Sequence, residues 1–259
     1  WAEAFDKLTV HADLVLRSGG RIGYAFRKDS PQLAASLNEF LKTHRQGTLF
    51  GNMMVNRYVR DFDFVENALH PDEYEKFQRI GSIFKKYGDQ YGIDYLMVAA
   101  QGYQESRLDQ SVRSSAGAIG VMQLLPSTAS DPNVGITDIH LEADNIHAGI
   151  KYLSFIRNRY FDDPDMDALN QTLMSFASYN AGPARVNALR KKAASQGLNP
   201  NLWFNNVEVI AAQEIGRETV QYVANIFKYY TSYLLLAEQG QKREAERERE
   251  GLPALPEDA

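Results

Sequence analysis

The sequence predicts a mainly α-helical domain that is preceded by a partial α/β segment. From about residue 75 onward, apolar residues recur at the three- and four-residue spacing that is typical of amphipathic helices. Before residue 60, by contrast, two short β-prone runs at 13–16 and 21–26 are separated by a Ser-Gly-Gly turn. A helical pattern then follows these two runs.

In the partial segment, Ser30 is expected to cap a helix in which Pro31 takes the first position and apolar residues continue to Phe40. Two strands and one helix bury little apolar surface, so we expect residues 1–60 to be part of a larger α/β domain. Because no export-signal pattern follows Trp1, we expect a processed chain or a segment of a longer one.

The helical part is expected to span residues 75–237, after a linker at 61–74. Asp72 and Asp94 are predicted to cap its first two helices. Residues 238–259 are rich in Gln, Lys, Arg and Glu and end near two prolines, so we expect a fraying helix and then a disordered charged tail. Later helices are predicted at 143–160, 169–179, 184–194, 208–214 and 218–236.

Composition and charge exclude several classes of protein. The net charge is −5 with basic residues spread along the chain, which predicts no nucleic-acid partner. No apolar stretch approaches the ~20 residues of a membrane-spanning helix, so no membrane anchor is visible in this sequence. There is no cysteine, and the five histidines show no ligand spacing. We therefore expect no disulfide, no metal site and no cofactor.

Glu105 is the candidate acid of the helical domain. If Asp94 caps its helix, Glu105 falls in the last turns of that helix, beside apolar neighbours. Burial and the negative end of the helix dipole both raise the pKa of a carboxyl group. A carboxyl group that stays protonated near neutral pH can donate a proton to a glycosidic oxygen. The alternative is an ordinary exposed glutamate.

A run rich in small residues follows the candidate acid. Gly117 and Gly120 permit a tight backbone path, and Met122 and Gln123 offer an apolar and an amide contact suited to a sugar with an acetamido group. Without Glu105 nearby, the same residues are typical of a plain loop.

Four motifs in this order resemble those of the lysozyme-like lytic transglycosylases, which cut bacterial peptidoglycan. They are the pair Glu105-Ser106 and the segments SSAGAIGVMQ at 114–123, SYNAGP at 178–183 and ETVQYV at 218–223. The resemblance covers about residues 75–235. It implies a lysozyme-like helical fold for the second domain.

The resemblance also implies roles for individual residues. Glu105 would be the catalytic residue, and Tyr179 and Tyr222 would orient it, although a tyrosine at a position like 222 is often simply part of the core. Tyr179 and Asn180 also fit an ordinary helix end. The residues expected to contact substrate are Ser106, Ser114, Met122, Gln123, Tyr179, Asn180 and Tyr222.

The implied reaction uses a single carboxylate. Glu105 would protonate the bond between N-acetylmuramic acid and N-acetylglucosamine and then remove the proton from the muramoyl C6 hydroxyl, which gives a 1,6-anhydro end. Asp109 is the next acid along the sequence, and we expect it to be a solvated turn residue. Two alternatives stay open: a goose-type lysozyme-like hydrolase, and a non-catalytic peptidoglycan-binding or sensing module.

Residues 1–60 resemble the end of a type-3 extracellular solute-binding domain. That pairing is similar to membrane-bound lytic transglycosylases in which a solute-binding-like domain precedes the catalytic one. The resemblance implies peptidoglycan glycan strands as the partner, cell-wall peptides as ligands of the first domain, and a periplasmic, outer-membrane-associated location.

Overall fold

The computed structural model describes residues 11, 13–14, 23–48, 51–52 and 71–249. The chain divides into two compact units, Trp1–Glu66 and Asn67–Ala259. What the first unit does remains a prediction, because more than half of its residues lie outside the described part.

In the first unit, helix α1 spans Pro31–His44. It begins at the predicted proline, but the Ser30 side chain makes no capping hydrogen bond. The two predicted strands are not found in the described residues: residues 23–26 have no regular structure, and 15–22 lie outside the described part. A strand needs a neighbouring strand to pair its backbone groups, and no described residue pairs with 23–26.

The second unit is helical, and residues 71–249 contain no β-strand. The mainly helical fold predicted from the spacing of apolar residues is therefore confirmed. A kinked segment, Trp203–Val207, in which Phe204 and Asn205 have non-helical backbone angles, precedes the helix that begins at Glu208. The helices are α2 (Pro71–Tyr91), α3 (Tyr95–Ser106), α4 (Pro126–Ala129), α5 (Glu142–Tyr160), α6 (Ala168–Ala181), α7 (Pro183–Ser195), α8 (Glu208–Glu214) and α9 (Arg217–Arg249).

The predicted helix starts are correct at Asp94 and wrong at Asp72. The Asp94 carboxylate accepts a hydrogen bond of 2.9 Å from the Leu96 backbone N–H, as an N-cap does. Helix α2 instead begins at Pro71, so Asp72 lies inside the first turn. A carboxylate there is still favourable, because it faces the positive end of the helix dipole.

Helix α9 continues to Arg249, beyond the predicted domain boundary at 237, and residues 250–259 lie outside the described part. Across the ranges that the structure describes, no helix is both long enough and apolar enough to cross a bilayer.

Helix α3 lies at the centre of this unit. It packs against α2 on one side and α9 on another, and almost every residue from Leu96 to Tyr103 is buried. The core contains fully buried aromatic side chains, among them Phe84, Phe176 and Trp203. Because α3 is held on several sides, the residues at its end have fixed positions relative to α9 and α6.

Candidate active site

Glu105 occupies the last turn of α3, where the chain changes direction sharply. The helix ends at Ser106, and the next two residues, Arg107 and Leu108, both have left-handed backbone conformations, with φ of 55° and 58°. Such conformations are costly for residues other than glycine and cluster at functional sites. The Glu105 side chain is partly buried at this bend.

Burial raises the pKa of Glu105 from its ordinary 4.5 to about 7, because the surrounding protein replaces water that would solvate the carboxylate. A hydrogen bond from Tyr222 acts in the opposite direction and lowers the pKa. The raised pKa leaves this carboxyl group partly protonated near neutral pH.

Tyr222 reaches Glu105 from α9, 117 residues further along the chain. Its hydroxyl donates a 2.5 Å hydrogen bond to Oε1 of Glu105 and accepts one of 3.2 Å from Nε2 of Gln101. The tyrosine is buried, with 8% of its surface exposed. The structure thus brings Tyr222 to the position from which it can orient Glu105.

Tyr179 does not orient Glu105 in the way that was expected. Its hydroxyl donates instead to the backbone carbonyl of Met122, at 2.8 Å. Burial and the nearby Glu105 carboxylate raise the pKa of Tyr179 well above its ordinary value, so it stays a neutral donor. Its role is to hold the loop that carries Met122 against α6.

Ser106 is buried at the end of α3, and the expectation that it contacts substrate stays a prediction. Its buried hydroxyl donates to the Val121 carbonyl at 2.9 Å and accepts from the Asp109 backbone N–H at 3.1 Å. Because its donor and its acceptor are both used within the protein, this hydroxyl links the loop after α3 to the helix that carries Glu105.

Ser114 is likewise a turn residue. Its hydroxyl accepts from the Ala118 N–H, and its own N–H donates to the Ala118 carbonyl, both at 3.0 Å. The turn that follows needs glycine at Gly120, where φ is +74° and an added Cβ would lie 2.3 Å from the Gln110 side chain. That side chain accepts from the Val121 N–H at 3.0 Å.

Met122 is fully buried, so its side chain has no free surface for the expected sugar contact. It packs on Gly149 of α5, where an added Cβ would lie 2.6 Å from Met122 Cβ. Its backbone N–H donates to Oδ1 of the buried Asn145 at 2.8 Å. The methionine therefore anchors the loop to α5.

Gln123 and Asn180 keep groups free for a ligand. Gln123 has φ of +44°, and its amide nitrogen donates to the Gly120 carbonyl at 2.9 Å, which leaves Oε1 without a partner among the described residues. Asn180 is exposed at the end of α6, and its Oδ1 accepts from Thr219 of α9 at 2.7 Å. Its amide N–H groups remain available.

Asp109 does not act as a second catalytic carboxylate in this arrangement. It is exposed, and its Oδ1 accepts from the backbone and hydroxyl of Ser111 at 2.8 and 2.7 Å. These hydrogen bonds lower the pKa of Asp109, as expected of a carboxylate that closes a turn. Asp109 thus differs from Glu105, whose carboxyl group is partly buried and has a raised pKa.

A surface cavity of about 450 Å³ lies elsewhere on the second unit, and none of the candidate site residues lines it. Its lining includes the aromatic rings of Tyr91 and Phe155 and the cationic side chains of Lys151 and Arg159.

Comparison with known proteins assigns the helical unit to a family. Residues 82–201 match the Transglycosylase SLT domain, and this range includes Glu105, the loop after it and Tyr179. Over this range the chain is similar to the SLT-domain transglycosylases. The SLT match ends before α9, so Tyr222 completes the site from outside the matched range.

Curated relatives share the same name, membrane-bound lytic murein transglycosylase F. The chain is 32% identical to that of Desulfosudis oleivorans over 81% of this chain and 49% of the relative. It is 33% identical to that of Shewanella sediminis, over 83% of this chain and 47% of the relative. A third, from Shewanella loihica, is 31% identical over 92% of this chain and 52% of the relative. The chain thus spans about half the length of these relatives.

Among solved structures, the SLT-domain chain is similar to an inactive mutant of the lytic transglycosylase Slt from Pseudomonas aeruginosa. The identity is 23% and the TM-score 0.48, over 83% of this chain and 30% of that one.

Sequence reasoning missed several residues that build the site of the SLT domain. The side chain of Gln101 donates to Tyr222, and that of Gln110 accepts from the backbone of the loop that follows Glu105. Met122 is held by Asn145 and by close packing on Gly149. Two of them had a visible signal, since Gln101 interrupts the apolar run LMVAAQG and Asn145 lies one residue before an apolar helix face. A polar residue on a buried face usually has a specific hydrogen-bonding task.

Proposed function

We propose that this chain is the catalytic part of a lytic transglycosylase that cleaves the β-1,4 bond between N-acetylmuramic acid and N-acetylglucosamine in peptidoglycan without consuming water. The observation that carries the proposal is Glu105, a partly buried carboxyl with a pKa of about 7 within an SLT domain. A group whose pKa lies near the working pH can both donate and accept a proton in one catalytic cycle.

In the first step, Glu105 gives its proton to the glycosidic oxygen as the bond from that oxygen to C1 of the muramoyl residue breaks. Oε1 of Glu105 accepts from Tyr222, and no described residue pairs with Oε2, so the transferred proton comes from Oε2. The positive charge that develops on the sugar ring is of the oxocarbenium type.

In the second step, the Glu105 carboxylate takes the proton of the muramoyl C6 hydroxyl, and the C6 oxygen bonds to C1. The products are a 1,6-anhydromuramoyl end and a free N-acetylglucosamine end, and Glu105 regains its proton. Because Glu105 acts first as acid and then as base, no second carboxylate is required. This agrees with the turn role of Asp109.

Two side chains have free groups that suit the substrate's acetamido and hydroxyl groups. Oε1 of Gln123 can accept from an acetamido N–H, and the amide of Asn180 can donate to a sugar oxygen. Both residues lie on segments that the structure fastens firmly, which favours a site that is formed before substrate binds.

Digestion of purified sacculi tests this function. The native chain is expected to release muropeptides with anhydro ends, which mass spectrometry identifies because they are one water lighter than reducing ends. Glu105→Gln should fold normally and release none. Glu75→Gln, which removes one charge at an exposed position of α2, is the matched control and should release them at the native rate.

The other candidate functions give different products. A goose-type hydrolase would release reducing ends, and a binding module would retain sacculi in a pull-down without releasing fragments. Anhydro products at an undiminished rate from Glu105→Gln would remove Glu105 from the acid role.

We place the site of action in the periplasm, since peptidoglycan lies outside the cytoplasmic membrane and the named relatives are membrane-bound. Fractionation of cells that express the full-length protein tests this location. Recovery of the protein in the cytoplasmic fraction would contradict it.

We also propose that the first unit derives from a solute-binding-like domain that takes cell-wall peptides. The alignment to the Shewanella loihica relative covers 92% of the chain and therefore extends into this unit. Isothermal titration of the full-length protein with muropeptide stems should detect binding. Absence of binding, together with equal turnover with and without the peptides, would refute this proposal.

A further inference from the structure

Gln101 is a fully buried polar residue with an incomplete set of hydrogen bonds. It lies one helical turn before Glu105 on α3 and is 0% exposed. Its Nε2 donates to the Tyr222 hydroxyl at 3.2 Å, while its Oε1 is buried with no hydrogen-bond partner among the described residues. A buried carbonyl without a partner costs free energy, so this amide stabilises an apolar core less than an apolar side chain of the same size would.

The amide determines which way the Tyr222 hydroxyl points. A phenol carries one proton, and that proton goes to Oε1 of Glu105. The phenol oxygen then has only acceptor capacity left, and the Gln101 N–H fills it. Tyr222 is consequently held between a donor on one side and an acceptor on the other, with no freedom to reverse its direction.

We propose that Gln101 is a positioning residue of the transglycosylase reaction: it fixes the Tyr222 hydroxyl as a donor to Oε1 of Glu105 and so keeps the transferable proton on Oε2. This inference rests on the proposed function and extends it to a residue whose side chain donates to Tyr222 rather than to Glu105.

The chemistry depends on the difference between the two oxygens of a carboxylic acid. In the protonated form, one oxygen carries the hydrogen and the other can only accept. While Tyr222 donates to Oε1, the acidic hydrogen of Glu105 resides on Oε2, which no described residue occupies. If the hydroxyl turned away, the proton could settle on Oε1, where it would be directed toward Tyr222 rather than toward a substrate.

The same chain of hydrogen bonds tunes the acidity of Glu105. Burial and the nearby Glu105 raise the pKa of Tyr222 well above its ordinary value, and the Gln101 hydrogen bond acts in the opposite direction, which makes the hydroxyl a stronger donor than it would otherwise be. The Tyr222 hydrogen bond in turn lowers the pKa of Glu105 against the opposing effect of burial. Loss of the Gln101 amide should therefore raise the pKa of Glu105.

Gln101→Met tests the inference, because methionine has a similar length and volume but no N–H group. We expect kcat for release of anhydromuropeptides to fall about fivefold with little change in KM, the effect of one net hydrogen bond. The pKa of Glu105 should rise by about 0.5. If Gln101 only fills space, neither quantity should move.

The pKa of Glu105 can be measured without substrate. A ¹³C-NMR titration of protein labelled at glutamate carboxyl carbons gives it directly, with the signal assigned by its loss in Glu105→Gln. Gln171→Met is the matched control: Gln171 also donates one hydrogen bond on a helix, to the Met166 carbonyl at 3.2 Å, but on α6 and away from Tyr222. The titration curve of Glu105 in the Gln171→Met variant should match that in the native protein.

A double-mutant cycle separates positioning from any other effect. If Gln101 acts only through the tyrosine hydroxyl, then in a Tyr222→Phe background Gln101→Met should change neither the pKa of Glu105 nor kcat any further. An equal effect in both backgrounds, or an unchanged pKa in the single variant, would overturn the inference.

Folding does not confuse the test. Gln101→Met removes one hydrogen bond to Tyr222 together with a buried carbonyl that has no partner among the described residues, so its melting temperature should stay close to the native value. If the melting temperature falls, Gln101→Leu takes the place of Gln101→Met in the same cycle. If the native chain releases no anhydro products, the proposed function fails, whereas the NMR titrations still decide whether Gln101 positions Tyr222.

Discussion

The clearest consequence of a buried carboxyl is a change in how stability depends on pH, and Glu105→Gln isolates it. In the unfolded chain this glutamate ionises near its ordinary pKa of 4.5, but in the folded protein its pKa is about 7. Between these values the folded state holds the proton more tightly than the unfolded state. Raising the pH through this window therefore lowers the free energy of unfolding.

The magnitude follows from the two pKa values. At 1.36 kcal/mol for each pKa unit, the shift from 4.5 to about 7 corresponds to about 3 kcal/mol of lost stability above pH 7. Glutamine has no such proton. Relative to the native protein, Glu105→Gln should gain about 3 kcal/mol between about pH 4.5 and about pH 7.5, and the gain should then level off.

Urea unfolding of both proteins from about pH 4 to about pH 8.5 measures this difference. Far-UV circular dichroism follows the helices, and fluorescence of Trp203, which is fully buried, follows the core of the helical unit. Glu75→Gln provides the control for loss of one negative charge at an exposed position. Parallel pH profiles for the native protein and Glu105→Gln would refute the reasoning, because they would mean that Glu105 titrates alike in both states.

Two further predictions concern the loop that follows Glu105. Ser106→Ala removes a buried hydroxyl that bonds to Val121 and Asp109, so urea unfolding should show a loss of about 1–3 kcal/mol, and a loss below about 0.5 kcal/mol would contradict the assigned role. Gly149→Ala would place a Cβ 2.6 Å from Met122 Cβ, so it should cost about 1–3 kcal/mol and slow turnover on sacculi; native stability with native turnover would show that Met122 does not need this close approach.

Much of the helical unit could be predicted from local sequence. The spacing of apolar residues located the helices of residues 71–249 except the short α4, and Asp94 gave the correct start of α3 because its side chain acts on a backbone N–H only two residues away. The start of α2 was missed by two residues, because a cap at Asp72 would begin the helix at residue 73, whereas the helix begins at Pro71.

The candidate site could be predicted only in part. The order of motifs pointed to Glu105, but the roles of its neighbours depended on contacts that no local pattern records. Tyr179 was expected to orient the acid and instead donates to Met122, while Ser106, whose substrate contact stays a prediction, donates to Val121. In each case the decision rests on which carbonyl group lies within hydrogen-bond reach after packing.

The sequence by itself determined that this chain forms helices and which carboxylate ends the central one, because helix formation and capping depend on residues within a few positions of one another. Only the tertiary structure decided how acidic that carboxylate is. Its pKa depends on burial and on a hydroxyl supplied from 117 residues away, with Gln101 beneath it. The burial of Glu105 and its hydrogen bond from Tyr222 both arise when α3, α6 and α9 pack together, and none of these helices provides them alone.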